Sequence, residues 1–232
     1  MILLHGLFGQ LSNWDGVIEQ FGVSYNIYTP ALPIYDTPKN DPLLFLVEFL
    51  ERFVEDNHLK NVILIGNSLG GHVAIIYASR HGHNVKKLIL TGSSGLYENT
   101  NMGSFPKRST IAYIKERVEY TFHDPAVATE ELISQVLSIT TDSQKCLGVL
   151  RVARSAQRHY VADLLPHISA PALLIWGRDD RITPIHVAQE FASMIPDTKL
   201  VVLNECGHAP MMERPDEFNF VLKHYLQEKV CI

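Results

Sequence analysis

The sequence predicts an α/β fold, a mostly parallel, doubly wound sheet with an inserted block of helices. Along most of the chain, short apolar runs alternate with helical stretches, and this rhythm is typical of parallel strands joined by crossover helices. Between about residues 97 and 165 only helical stretches occur, which indicates an insertion into the alternating core. We therefore predict an α/β core made of residues 1–96 and 166–232 and a helical cap made of residues 97–165.

The first part of the chain contains four predicted strands. They lie at residues 1–4, 25–28, 62–65 and 85–91, and glycine or proline follows closely after each. Residues 1–4 and 62–65 are short apolar runs, a pattern that suits strands buried on both faces. Helical patterns lie between them, at about residues 13–21, 43–54 and 71–78, although β-branched side chains weaken the last of these.

The rest of the chain supplies the predicted cap and the end of the sheet. In the cap we expect helices over residues 111–121, 129–139 and 143–156, with a short piece near residue 161. Strands are predicted at 172–176 and 200–203, and helices at 185–194 and 215–227. The apolar side chains of the cap exceed what thin helices need to pack on one another, so we expect some to face a site: Phe105, Ile111, Ile114, Val118, Phe122, Leu132, Val136 and Leu150.

Composition excludes several classes of protein. The 232 residues are 46% hydrophobic and 19% charged, which is typical of a globular protein, and a net charge of −5 provides no basic field for nucleic acid. No apolar run reaches the roughly 18 residues that span a bilayer, and no signal-type segment begins the chain, so the expected location is the cytoplasm. The three cysteines lack metal-type spacing, so neither a metal nor a disulfide framework is predicted.

The pentapeptide Gly66-Asn67-Ser68-Leu69-Gly70 carries the chemistry. It lies between a predicted buried strand and a predicted helix, so the chain must turn sharply with a serine at the apex. Glycines two positions either side of that serine fit a turn where a side chain would collide with the neighbouring strand or helix. This is the G-x-S-x-G nucleophile elbow in its strand–turn–helix context.

A serine nucleophile needs a base, and the base needs an orienting acid. Catalytic groups of parallel sheets gather beyond the carboxyl ends of the strands. The loop after residues 172–176 contains Asp179 and Asp180, and the loop after residues 200–203 contains His208. The chain order Ser, Asp, His is the order that this architecture uses, and either aspartate could supply the acid.

These motifs resemble those of capped α/β-hydrolases over nearly the whole chain. The resemblance is carried by the His5-Gly6 pair with Gly9, by the pentapeptide at 66–70 and by the acid and histidine loops. Members of this family usually have further strands before the strand that ends in His-Gly, so the resemblance implies additional sequence upstream of Met1. Without such strands, residues 25–28 would form an unprotected sheet edge.

The resemblance implies a role for each candidate. Ser68 would be the nucleophile, His208 the base and Asp180 the acid, since the acid of the family commonly falls third after the glycine of a Trp-Gly-x-x-Asp pattern. Asp179 is the fallback. No cofactor or metal is implied, and no substrate-binding residue is assigned. The oxyanion hole would be formed by two backbone N–H groups, those of Leu7 and Leu69.

The motifs resemble more than one subfamily. Residues 66–71 and 176–181 are similar to the meta-cleavage-product hydrolases, which cut a carbon–carbon bond beside a ketone. However, Leu7-Phe8-Gly9 replaces their glycine-rich H-G-x-G-P-G loop, and Ala209-Pro210 follows the histidine where an aromatic residue is often found. These departures favour hydrolysis of a carboxylic ester or thioester with a small apolar acyl or aryl group, and substrates linked to a carrier protein belong to this class. C–C bond hydrolysis is the alternative, and a non-catalytic ligand-binding relative is the third possibility.

Other polar residues have plainer interpretations. His72 and Cys206 lie near the predicted site, but packing is the favoured interpretation for both. His5 is expected to brace the oxyanion loop without transferring a proton. Three arginines recur at helical spacing in the cap and are read as a solvated face, with contact to an anionic substrate as the alternative: Arg151, Arg154 and Arg158.

Overall fold

The structure, a computed structural model, describes residues 1–9, 14–98 and 110–228. Within these ranges a single five-stranded sheet runs in the order β1-β2-β3-β4-β5, and each neighbouring pair is parallel. The predicted α/β class and parallel sheet are confirmed. The strands are β1 (Ile2–Leu4), β2 (Val62–Asn67), β3 (Val85–Thr91), β4 (Ala172–Gly177) and β5 (Thr198–Leu203).

Helices connect these strands and cover both faces of the sheet. Their bounds are α1 (Asp15–Phe21), α2 (Pro42–Asp56), α3 (Leu69–Arg80), α4 (Ile111–Thr121), α5 (Glu130–Thr141), α6 (Ser143–Arg158), α7 (Ile185–Met194), α8 (Pro210–Glu213) and α9 (Pro215–Gln227). Alternate residues of β2 enter two separate cores: Leu64 packs with α2 and α3, whereas Ile63 and Ile65 pack with α1 and α9. The strands β1, β2 and β4 are buried on both faces, which explains why they are largely apolar runs without polar alternation.

One predicted strand is wrong. Residues 25–28 form no extended strand, and Tyr28 alone makes a parallel bridge to Ile2. Tyr28 N–H donates to Met1 O and Leu3 N–H donates to Tyr28 O, both at 2.9 Å. Two residues later Pro30 has no N–H to donate, so the ladder cannot continue along the short β1.

Two helical predictions also need correction. The helix after the elbow begins at Leu69, directly after Ser68, and not at residue 71. Nearly all of its residues are buried, and this burial outweighs the low helix propensity of its β-branched side chains. One further helix was not predicted: α8, a single turn between His208 and α9. The helix predicted at 13–21 starts at Asp15, and its first residue, Asn13, lies outside the described residues.

The helices α4, α5 and α6 follow β3 and precede β4, in the region predicted to be the cap. No strand occurs in the described part of that region, and α4 spans the predicted residues. The α6 helix is fastened to the core, since Ser155 Oγ accepts a hydrogen bond from Leu43 N–H at 3.2 Å and Arg151 donates to Thr37 O at 3.2 Å. Across the described ranges, the helices all fall short of the length and apolarity needed to cross a membrane.

Candidate active site

Ser68 occupies a strained backbone conformation between β2 and α3. Its φ of 54° and ψ of −118° lie outside the regions that side chains favour, and such strain is stored where the surroundings enforce it. A Cβ on Gly66 would lie 2.5 Å from the carbonyl oxygen of Gly70, and a Cβ on Gly70 would overlap the carbonyl group of Leu4. Glycine is therefore required at both flanking positions, as the pentapeptide predicts.

Backbone and side-chain bonds join the elbow to the neighbouring strand ends. Ser68 N–H donates to Thr91 O at 3.1 Å, and Ser94 N–H donates to Ser68 O at 3.1 Å. The buried Asn67 amide donates to Thr91 O and also to the backbone oxygen of His208, each at 3.1 Å. Asn67 thus connects the elbow directly to the loop that carries His208.

His208 is paired with Asp180. Its Nδ1 atom lies 2.9 Å from Asp180 Oδ2. The buried carboxylate also accepts hydrogen bonds from Ile182 N–H at 2.8 Å and from Thr183 N–H and Oγ1 at 2.9 Å each. Asp179 points elsewhere, with its Oδ2 atom 3.2 Å from His123 Nδ1. Of the two sequence candidates, the structure brings Asp180 to the histidine.

Burial and the neighbouring acidic groups shift the pKa of the His208 imidazole in opposite directions. Burial by itself lowers the pKa of His208, but the negative charge and hydrogen bond of Asp180 oppose it, with further contributions from Glu98 and Glu213. The net result is a pKa of His208 above its ordinary value. An imidazole that donates from Nδ1 to a carboxylate leaves Nε2 to accept a proton.

Ser68 and His208 line one cavity of about 310 Å³. Five of the eight cap side chains expected to face the site do line it: Ile114, Val118, Phe122, Leu132 and Val136. Of the other three, Ile111 is exposed, Leu150 is not among the lining residues, and Phe105 lies outside the described residues. The lining is therefore predominantly apolar, with the serine and histidine at one wall.

Of the two predicted oxyanion donors, Leu7 lines the cavity, whereas Leu69 is not among the lining residues and directly follows Ser68. Leu7 lies in the turn after β1, and Leu69 is the first residue of α3, where an N–H group has no partner within the helix. The buried His5 side chain stands beside that turn, with Nε2 3.1 Å from Leu32 N and Nδ1 2.8 Å from Gly6 O. Burial lowers the pKa of His5, partly offset by the bond to Gly6, and one neutral tautomer satisfies both contacts.

Sequence reasoning missed two charged residues of the cavity, Glu98 and Arg117. Glu98 follows β3 at the same sheet edge as the other site residues, so the strand-end argument could have found it. Arg117 lies on α4 with its guanidinium carbon 4.6 Å from the centre of the Tyr113 ring. None of the three arginines singled out in the sequence lines the described cavity.

The remaining candidates are packing residues. His72 is fully buried, and burial lowers its pKa to about 3, so its imidazole is neutral. Cys206 is also fully buried, and burial raises the pKa of its thiol. Within the described ranges, no three His, Cys, Asp or Glu side chains group together in a way that could hold a metal ion.

The chain is similar to known proteins over most of its length. Residues 1–219 match the model of the alpha/beta hydrolase family. The chain is 35% identical to an alpha/beta hydrolase enzyme from the metagenome of sediments from the lagoon of Mar Chica, Morocco, with a TM-score of 0.78 over 97% of this chain and 89% of that one. The family match spans both halves of the sheet and the helices between them.

Two curated relatives have different named activities. One is a 2-hydroxy-6-oxononadienedioate/2-hydroxy-6-oxononatrienedioate hydrolase of Pseudomonas sp., 27% identical over 72% of this chain but only 64% of that protein. The other is a pimeloyl-[acyl-carrier protein] methyl ester esterase of Aromatoleum aromaticum, 27% identical over 94% of each chain. At these identities the chain is similar to a C–C bond hydrolase and to an esterase alike.

Proposed function

We propose, from the premise that this chain belongs to the alpha/beta hydrolase family, that it is a serine hydrolase of carboxylic esters or thioesters. Ser68 would be the nucleophile, His208 the general base and Asp180 the acid that orients it. The observation that carries the proposal is the 2.9 Å contact of His208 Nδ1 with Asp180 Oδ2, made by a histidine that shares a cavity with the elbow serine.

Each residue then has a step in the reaction. His208 Nε2 takes the proton of Ser68 Oγ as that oxygen attacks the ester carbonyl carbon. The N–H groups of Leu7 and Leu69 would stabilise the oxyanion of the tetrahedral intermediate. As the intermediate collapses, His208 returns the proton to the leaving alcohol or thiol. Water then repeats the sequence on the acyl-enzyme and releases the acid.

The cavity favours a small apolar acyl or aryl group. Its lining from α4 and α5 is apolar, and a volume of about 310 Å³ suits a short or medium chain. A carrier protein could hold the other side of a thioester or ester outside this space. The esterase from Aromatoleum aromaticum, named for an acyl-carrier substrate, supports this choice.

C–C bond hydrolysis is the second candidate, favoured by the name of the Pseudomonas relative. The same three residues would then act on a ketone that lies beside the bond to be cut. The loop at Leu7-Phe8-Gly9 and the Ala209-Pro210 pair after the histidine argue for the ester. A non-catalytic ligand-binding protein is the third possibility, and it requires Ser68 to be unreactive.

Two measurements test the proposal. A fluorophosphonate probe should label the protein at Ser68, with labelling lost in Ser68→Ala and kept in Ser193→Ala, a control at an exposed helix position. On one preparation, kcat/KM for a p-nitrophenyl ester is then compared with that for a dienol-ketone. A preference for the ketone by about a hundredfold or more would replace the ester proposal with the C–C alternative. Absence of labelling would exclude both enzymes.

A further inference from the structure

Glu98 lies at the reacting end of the cavity. It lines the same space as Ser68 and His208 and belongs to the segment that leaves the carboxyl end of β3. Ser94 fixes this segment to the elbow, because Ser94 N–H donates to Ser68 O at 3.1 Å and the Ser94 side chain hydrogen-bonds to Glu98. The position of Glu98 is thereby tied to that of the nucleophile.

Among the lining residues that the structure describes, Glu98 is the only one with a carboxyl group. Burial raises its pKa, while the charge of His208 and the hydrogen bond from Ser94 act in the opposite direction. A carboxylate with apolar surroundings is poorly solvated, so it gains from any donor that a ligand brings. The few polar groups of an apolar pocket are the ones that fix a ligand's orientation and identity.

We propose that Glu98 is a specificity-determining residue, which selects substrates that carry a hydrogen-bond donor, best a cationic ammonium group, near the scissile bond. The same carboxylate disfavours substrates with a carboxylate at that place, because like charges repel strongly where water is scarce. This inference rests on the proposed function and assigns a substrate class to its site.

Arg117 is the competing influence in the cavity, since a guanidinium would favour an anionic substrate. Its guanidinium is already stacked on Tyr113, and it lies on α4. Glu98, in contrast, is close enough to His208 that its charge contributes to the raised pKa of that imidazole. Arg117 is not among the main groups that shift the pKa of His208, so we expect the preference set by the carboxylate to prevail.

The test uses aryl esters of similar shape whose short chains end in a methyl, an ammonium or a carboxylate group. Two series are compared: one carries the varied group on the acyl side of the ester, and the other carries it on the alcohol side. In at least one series, wild-type kcat/KM should favour ammonium over carboxylate by about tenfold or more, and Glu98→Gln should reduce that ratio by about tenfold or more. Glu98→Asp, which keeps the charge, should keep the direction of the preference.

Glu213→Gln is the matched control. Glu213 also contributes to the raised pKa of His208 but does not line the cavity, so this variant should slow all three esters and leave their ratio intact. If Glu98→Gln lowers kcat/KM equally for all three esters, the inference is overturned, because Glu98 then acts only through His208. A wild-type preference for the carboxylate would also overturn it, in favour of Arg117.

Binding separates this inference from the proposed function. Calorimetry with the Ser68→Ala protein measures the affinity for the three compounds without turnover, so the order of affinities is read even if wild-type protein hydrolyses none of them. Hydrolysis of the neutral ester with no preference among the three, by rate or affinity, would overturn the inference and leave the proposed function standing. Failure to hydrolyse any ester counts against the proposed function.

Discussion

Glu213 Oε1 lies 2.8 Å from the backbone nitrogen of Gly207, the residue immediately before His208. The other oxygen of this carboxylate accepts a hydrogen bond from His123 N–H at 2.7 Å, just beyond the end of α4. His208 N–H donates to Thr121 O at 3.0 Å. The turn that carries the histidine is therefore fastened to α4, so the position of the imidazole depends on the position of that helix.

We expect Glu213→Gln to disturb this arrangement. An amide keeps one acceptor but turns a donor toward the second N–H group, and losing a partly buried hydrogen bond to a charged group costs about 1–3 kcal/mol. The melting temperature and kcat should both fall, the latter by about tenfold, because the histidine is misplaced. Glu205→Gln is the control, since Glu205 bonds Arg214 at the surface of the same loop. Equal effects in the two variants would contradict the arrangement.

Replacing the proposed triad should remove catalysis while the fold remains. Ser68→Ala and His208→Ala are each expected to lower kcat by a factor on the order of 10⁴ or more. Asp180→Asn should cost far more activity than Asp179→Asn, because only Asp180 contacts His208. Kinetics on one ester, with circular dichroism as the folding check, measure both effects. A tenth of wild-type turnover in Ser68→Ala, or the reverse ranking of the aspartates, would refute the assignment.

The base should also leave a pH signature. The pKa of His208 is raised, and a protonated imidazole cannot accept the serine proton, so kcat/KM should fall as the pH drops through that pKa. The midpoint should lie above about 6.5, the ordinary value for histidine. Removing a negative neighbour lowers the pKa of the imidazole, so Glu213→Gln should move the midpoint to lower pH. A midpoint below the ordinary value in wild-type protein would mean that burial outweighs Asp180.

Local chemistry made much of this molecule predictable. A strained turn needs glycine at positions 66 and 70, and buried parallel strands need apolar runs, so the elbow and the sheet follow from short stretches of sequence. The strand predicted at residues 25–28 is reduced to one bridge because Pro30 and the short β1 end the ladder. The bridging role of Glu213 depends instead on a partner distant in the chain. Glu213 and His123 are 90 residues apart, and no spacing pattern connects them.

The apolar lining should set the preferred chain length. Each methylene buried in the cavity is worth about 0.8 kcal/mol, roughly fourfold in kcat/KM, for as long as space remains. On p-nitrophenyl esters, activity should therefore rise from two-carbon acyl groups, peak at a short or medium chain and then fall.

Val136 tests whether the space in the cavity sets the preferred acyl-chain length, because this residue lines the cavity from α5. Val136→Phe removes space, so the peak should shift to a shorter acyl chain while the shortest ester is still hydrolysed. Ile111→Phe, a similar change at an exposed position of α4, should leave the optimum where it is. The measurement is kcat/KM across the ester series for the three proteins. If the optimum is the same in Val136→Phe as in wild-type protein, the acyl group does not occupy this cavity and must bind elsewhere around Ser68.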